Sequence, residues 1–61
     1  MSLNDLMGYV LYNQRIQVEF KEGIVFGTAQ VLLKVLDSDK LDLNIQSVSA
    51  KDNCLMVVVE S

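Results

Sequence analysis

The sequence feature that most constrains the fold is a strict alternation of apolar and polar side chains over residues 15–21. Its apolar members are Ile16, Val18 and Phe20. A period of two is typical of a strand with one covered face. Gly23 follows and supplies the positive φ that tight hairpin turns require. The pattern predicts a long β-hairpin over residues 15–36 that turns at Glu22 and Gly23.

The turn position sets the predicted register of this hairpin. With Glu22 and Gly23 as turn residues, Phe20 lies opposite Val25, and apolar residues meet apolar ones near the turn. This register directs Val25 inward. Three large apolar side chains then fall on the outer face beside Arg15: Ile24, Phe26 and Leu32. An exposed apolar stripe on a strand usually marks a contact surface.

A helix is the competing interpretation of the segment near residues 25–37. At 100° per residue its polar positions form one narrow stripe, made of Gly27, Gln30, Lys34 and Asp37. Thr28 is the one polar residue outside that stripe. This alternative gives a β-α-β-β order, and periodicity alone does not decide between the two for a short apolar run.

The flanking segments complete the predicted fold. Ser2 and Asp5 form a variant of the capping box before helically spaced leucines, which predicts a short N-terminal helix. Residues 37–40 read as a loop, residues 41–46 alternate as a third strand, and residues 51–53 read as a hairpin turn. Residues 55–59, LMVVV, are apolar on both strand faces. We therefore expect one β-rich (α+β) domain over residues 1–61, with the helix followed by four or five antiparallel strands in a small barrel or curled sheet.

Composition favours a protein that associates with other chains. The chain has 61 residues, of which 51% are hydrophobic, and a domain of this size has little interior in which to bury them. A disulfide within the chain is excluded, because Cys54 is the only cysteine. Association is the remaining way to stabilise the core, so we expect a homo-oligomer. The absence of a signal peptide and of a long apolar run predicts a cytoplasmic protein with no membrane partner.

The sequence offers no catalytic constellation. It contains no histidine, so Cys54 lacks the usual base for a nucleophile. The segment from Asp37 to Asp42 resembles the start of a calcium loop, but it lacks the turn glycine and the closing glutamate. No glycine-rich phosphate loop is present. We predict no catalytic residue, no cofactor, no metal site and no enzymatic activity.

The segment LNDLMGYVLYNQRIQVEFKEGIVFG, residues 3–27, resembles the start of the Sm/LSm/Hfq-like small β-barrels. The shared features are a leucine-containing helix, a strand with alternating apolar residues, a glycine turn and a glycine in the second strand. The resemblance implies a barrel and, as an alternative function, an RNA-binding ring. The later part of the chain departs from the family, because the Asp/Asn pair does not closely follow Gly27 and residues 55–61 lack the RNA-binding motif.

These observations favour a non-enzymatic interaction module, of the kind that serves as a small regulator, adaptor or inhibitor. The expected partners are a second copy of the chain and another protein. Nucleic acid is the less favoured partner, because the net charge is −3. The candidate interaction residues are Ile24, Phe26, Leu32, Tyr12 and Arg15.

Overall fold

The computed structural model describes residues 1–60, which form a four-stranded sheet and three short helices. The elements in chain order are α1 (Leu3–Met7), β1 (Arg15–Phe20), β2 (Gly23–Thr28), α2 (Ala29–Val35), α3 (Ser38–Leu41), β3 (Ile45–Lys51) and β4 (Cys54–Val59). The strands lie in the order β2-β1-β4-β3. The prediction of a strand-dominated α+β fold with an N-terminal helix is confirmed at this level.

The two central strands, β1 and β4, run parallel, whereas each outer strand pairs antiparallel with its neighbour. The sheet is open and mixed, so the predicted all-antiparallel barrel is wrong. Sequence patterns identified the two hairpins because hairpin contacts are local. They did not reveal which strand of one hairpin meets which strand of the other, because those partners lie far apart along the chain.

The first hairpin is present, but its register differs by two residues from the prediction. Phe20 pairs with Gly23, Val18 with Val25 and Gln17 with Phe26, so Lys21 and Glu22 form the turn. A shift of two residues leaves the side chains of β1 and β2 on their predicted faces, because the side chains of a strand alternate with a period of two.

The second strand ends at Thr28, and residues 29–35 form a helix rather than the predicted strand continuation. The Thr28 hydroxyl accepts a hydrogen bond from the Val31 backbone N–H and so caps this helix. The apolar residues on the core side follow helical spacing: Ala29, Leu32 and Leu36. The helix alternative was therefore right about the segment, although α2 begins four residues after position 25.

The segment before β3 also differs from its predicted structure. Asp37 caps α3 by accepting a hydrogen bond from the Lys40 backbone N–H, so residues 38–41 are helical rather than loop and strand. The strand begins only at Ile45, and a bulge interrupts its register between Ile45 and Ser47. The bulge brings Ile45 opposite Val59, whereas the pairs between the bulge and the turn differ from that register by one residue.

The second hairpin turns at two residues, Asp52 and Asn53, rather than at the predicted three. Their φ values are 53° and 62°, the left-handed conformation that the favoured two-residue hairpin turns need at both positions. The side-chain amide of Gln14 donates a 2.9 Å hydrogen bond to the Asn53 carbonyl, which joins this turn to the start of β1.

The hydrophobic core lies between the helices and one face of the sheet. The predicted capping box is confirmed, with Ser2 and Asp5 bonded reciprocally at the start of α1. The buried core residues are Leu3, Met7, Ile16, Val18, Phe20, Ala29, Leu32, Leu36, Val57 and Val59. No helix within residues 1–60 is long and apolar enough to cross a membrane.

A small polar contact ties α3 to the first turn. The Lys40 ammonium lies 3.2 Å from a Glu22 carboxylate oxygen and 5.0 Å from the centre of the Phe20 ring. The hydrogen bond from Lys40 holds the pKa of the Glu22 carboxyl below its usual value. The Lys40 ammonium therefore lies over the Phe20 ring at the edge of the core and pairs with Glu22 at the surface.

We expect Gly23→Ala to destabilise the fold more than Gly8→Ala. Gly23 has a φ of 154°, which side chains rarely adopt, so the substitution should cost about 1–3 kcal/mol although space around it is open. Gly8 is in the right-handed helical conformation, and alanine there should change stability by less than about 0.5 kcal/mol or stabilise the protein. Urea denaturation measures both, and equal small effects would contradict the described turn.

The turn at Asp52 and Asn53 predicts that alanine and glycine at position 53 have different effects on stability. Asn53→Ala should lower the free energy of unfolding by about 1 kcal/mol, because alanine tolerates the left-handed conformation poorly. Asn53→Gly should be neutral or stabilising, since glycine adopts that conformation without penalty. Thermal unfolding of the two variants compares them directly, and a less stable glycine variant would argue against this turn geometry.

Candidate interaction surface

The outer side of the sheet, opposite the helices, is the candidate interaction surface and is called the open face below. It consists of the outward-pointing residues of the four strands. Its apolar members are Ile24, Phe26, Met56 and Val58, and its charged members are Arg15, Glu19 and Lys51. The inward-pointing residues of β1 are buried, whereas the outward ones are exposed or half-buried.

Strand pairing places the apolar members in two adjacent rows. Phe26 and Met56 flank Gln17 in one row, because both are register partners of that residue. Ile24 and Val58 flank Glu19 in the next row in the same way. Neighbouring strands lie about 4.8 Å apart, so each row spans about three strand widths and has a polar β1 residue between its two apolar ones. We call the two rows together the patch.

The apolar side chains of this patch are incompletely covered. Phe26 is 62% exposed and Ile24 is 58% exposed, while Met56 and Val58 are half-buried. Scattered exposed apolar residues are common, but several adjoining ones on one sheet face indicate a contact surface.

The charges lie at opposite ends of the open face, with Glu19 between Ile24 and Val58. Arg15 and Glu19 are both on β1 and point the same way, four residues apart, which corresponds to about 13 Å. Lys51 lies in the row of Arg15, because Cys54 pairs with both residues. One end of the open face is therefore cationic, and the end of β1 that carries Glu19 is anionic.

The structure brings together three of the five predicted interaction residues. Ile24, Phe26 and Arg15 lie on the open face as their alternation predicted. Leu32 was predicted to join them, and this is wrong: it lies on α2, fully buried against the other side of the sheet. Tyr12 is exposed in the segment between α1 and β1, and its carbonyl accepts a hydrogen bond from the Gln30 backbone N–H.

Sequence reasoning missed Met56 and Val58 as members of this surface. The signal was present, because residues 55–59 are apolar on both strand faces. The core covers only one of these faces, through Val57 and Val59. Only the parallel pairing of β1 with β4 shows that Met56 and Val58 lie on the same side of the sheet as Phe26.

A second feature is an open polar depression of about 500 Å³ beside the second turn, lined by Asn13, Gln14, Arg15, Asp52 and Asn53. The side-chain amide of Gln14 donates hydrogen bonds to the carbonyls of Arg15 and Asn53. Within residues 1–60, no three His, Cys, Asp or Glu side chains come close enough together to hold a metal ion. The half-buried Cys54 thiol lies 3.7 Å from the Leu55 carbonyl.

Comparisons of the chain with protein-family models, with curated proteins and with solved structures yield no match.

Two substitutions should separate the open face from the core. Phe26→Ala should change the free energy of unfolding by less than about 0.5 kcal/mol, because the side chain is mostly exposed. Leu32→Ala should cost about 2–5 kcal/mol, because it leaves a cavity in the core. Chemical denaturation of the two variants measures the difference. A large loss of stability for Phe26→Ala in dilute, monomeric protein would place Phe26 in the core.

Proposed function

We propose that the protein is a non-enzymatic interaction module that binds protein through its open face and works as an oligomer. The observation that supports this most directly is that two apolar pairs, Ile24 with Phe26 on β2 and Met56 with Val58 on β4, lie on one uncovered side of the sheet. They flank the β1 residues Gln17 and Glu19. Exposed aromatic and aliphatic residues that lie near charged ones are common in protein interfaces.

The charge of the molecule agrees with a protein partner more than with a nucleic acid. The net charge is −3, and the cationic end of the open face holds only Arg15 and Lys51 beside the apolar patch. Proteins that bind nucleic acid usually gather lysine and arginine into an extended basic surface. The RNA-binding ring implied by the Sm-like resemblance stays a prediction, which the salt dependence of binding would test.

Site-specific photo-crosslinking tests the proposal. A photoreactive phenylalanine analogue in place of Phe26 changes the open face little. We expect it to form adducts with protein in cells that express the variant. The matched control carries the same analogue at Val35, which is equally exposed but lies on α2, behind the sheet.

The expected result is a set of protein adducts at position 26 that is absent or much weaker at position 35. Adducts with a second copy of the chain count as protein adducts. No adduct at position 26 would contradict the proposal, as would adducts with RNA alone whose yield falls steeply with salt.

A further inference from the structure

We propose that the protein which occupies the open face is a second copy of this chain, stacked face to face and related by a two-fold axis that runs perpendicular to the strands. This inference rests on the proposed function and names its partner. It follows from the way in which the charges and the apolar rows of the open face repeat under that symmetry.

The two-fold axis turns the strand direction around, so each end of the open face meets the opposite end of the second copy. β1 then lies over β1 of the second copy and runs antiparallel to it. Arg15 of each copy faces Glu19 of the other, which forms two equivalent pairs of opposite charge. Packed sheets lie about 10 Å apart, a gap that these two long side chains can bridge.

The same axis matches the apolar rows. The row that contains Phe26 and Met56 lies at the middle of the strand and falls on itself. Val58 falls over Cys54 of the second copy, and Ile24 over its Thr28 methyl group. The central row thus places Phe26 over Phe26 and Met56 over Met56, with the two Gln17 side chains between these apolar contacts, while the ion pairs lie to either side of the row.

The other face-to-face arrangement is unfavourable. A two-fold axis parallel to the strands would place each end of the face on the same end of the second copy. Arg15 and Lys51 of both copies would then gather at one end, and the Glu19 carboxylates would meet apolar Val58 at the other. Like charges brought together across an interface weaken it, so the charge pattern selects the first arrangement.

The size of the open face suits a stable dimer. The molecule measures 25 × 20 × 20 Å and has an accessible surface of 4145 Å². One of its six sides presents about a sixth of that surface, or roughly 700 Å², so that two copies bury about 1,400 Å² together. Stable specific interfaces bury about 1,200–2,000 Å² in total.

Charge exchange tests the pairing, with sedimentation equilibrium across micromolar protein concentrations as the measurement. Arg15→Glu and Glu19→Arg should each weaken the homodimer about tenfold or more, because each variant faces like charges twice. An equimolar mixture of the two variants should form a heterodimer, because both facing pairs then carry opposite charges. The double variant R15E/E19R should dimerise like the unchanged protein.

Two controls accompany these variants. Lys34→Glu makes the same change in net charge as R15E, but it lies on the exposed side of α2 and should leave dimerisation unchanged. Phe26→Asp should abolish the dimer while circular dichroism shows a folded chain. A dimer that survives Phe26→Asp would instead associate outside the open face, for example through the edge of β3, and would overturn the inference.

The remaining outcomes separate this inference from the proposed function. An unchanged protein that is monomeric would overturn the two-fold pairing together with the oligomeric part of the proposed function. Single variants that no mixture rescues would overturn the two-fold pairing alone. Photo-crosslinking at position 26 to a different protein would then leave the open face as a contact surface with a foreign partner. An unchanged protein that is monomeric and gives no adduct at position 26 would overturn both.

Discussion

The parallel pairing of β1 with β4 is the interaction on which the rest of the structure depends. Each hairpin alone is a two-stranded unit, and such units are marginally stable in water. Their central strands join through register pairs such as Val18 with Val57 on the inner face and Gln17 with Met56 on the outer face. The hydrogen bond from Gln14 to the Asn53 carbonyl fixes one end of this junction. The core and the open face are therefore created by the same contact.

The helices explain why only one side of that sheet is covered. The two hairpins are linked by α2 and α3, and the core residues of α1 and α2 all belong to the same buried cluster. A chain of this size has no further segment within residues 1–60 to place on the opposite side. The outward residues of β4 nevertheless include Met56 and Val58. The asymmetry of the layers thus produces the apolar surface that the proposed function uses.

The local features of the fold were accessible from the sequence, and the long-range ones were not. Alternation located β1, and the Ser2 capping box located α1, because both depend on neighbouring residues. The prediction that Ile24 and Phe26 point outward was correct although the register was wrong by two residues, since strand faces repeat every two residues. The role of Thr28 as a helix cap was harder to predict, because a polar residue between apolar runs is compatible with either a strand or a helix cap. Leu32 was assigned to the wrong face for that reason. The strands that pair with β4 could not be predicted from neighbouring residues, because β1 lies far from β4 along the chain.

The edge strand β3 affects how the protein associates at high concentration. Its sequence from Ile45 to Ala50 contains no charged residue and no proline. The Ile45 N–H donates to the Met1 carbonyl, but beyond Ile45 no strand lies beside the outer edge of β3 within residues 1–60. Such an edge is a template for cross-β growth. The bulge near Ile45 and the charge of Lys51 oppose this growth only at the two ends of the strand. The uncharged middle of β3 therefore offers concentrated protein a route to edge-to-edge association that needs no prior unfolding of the core.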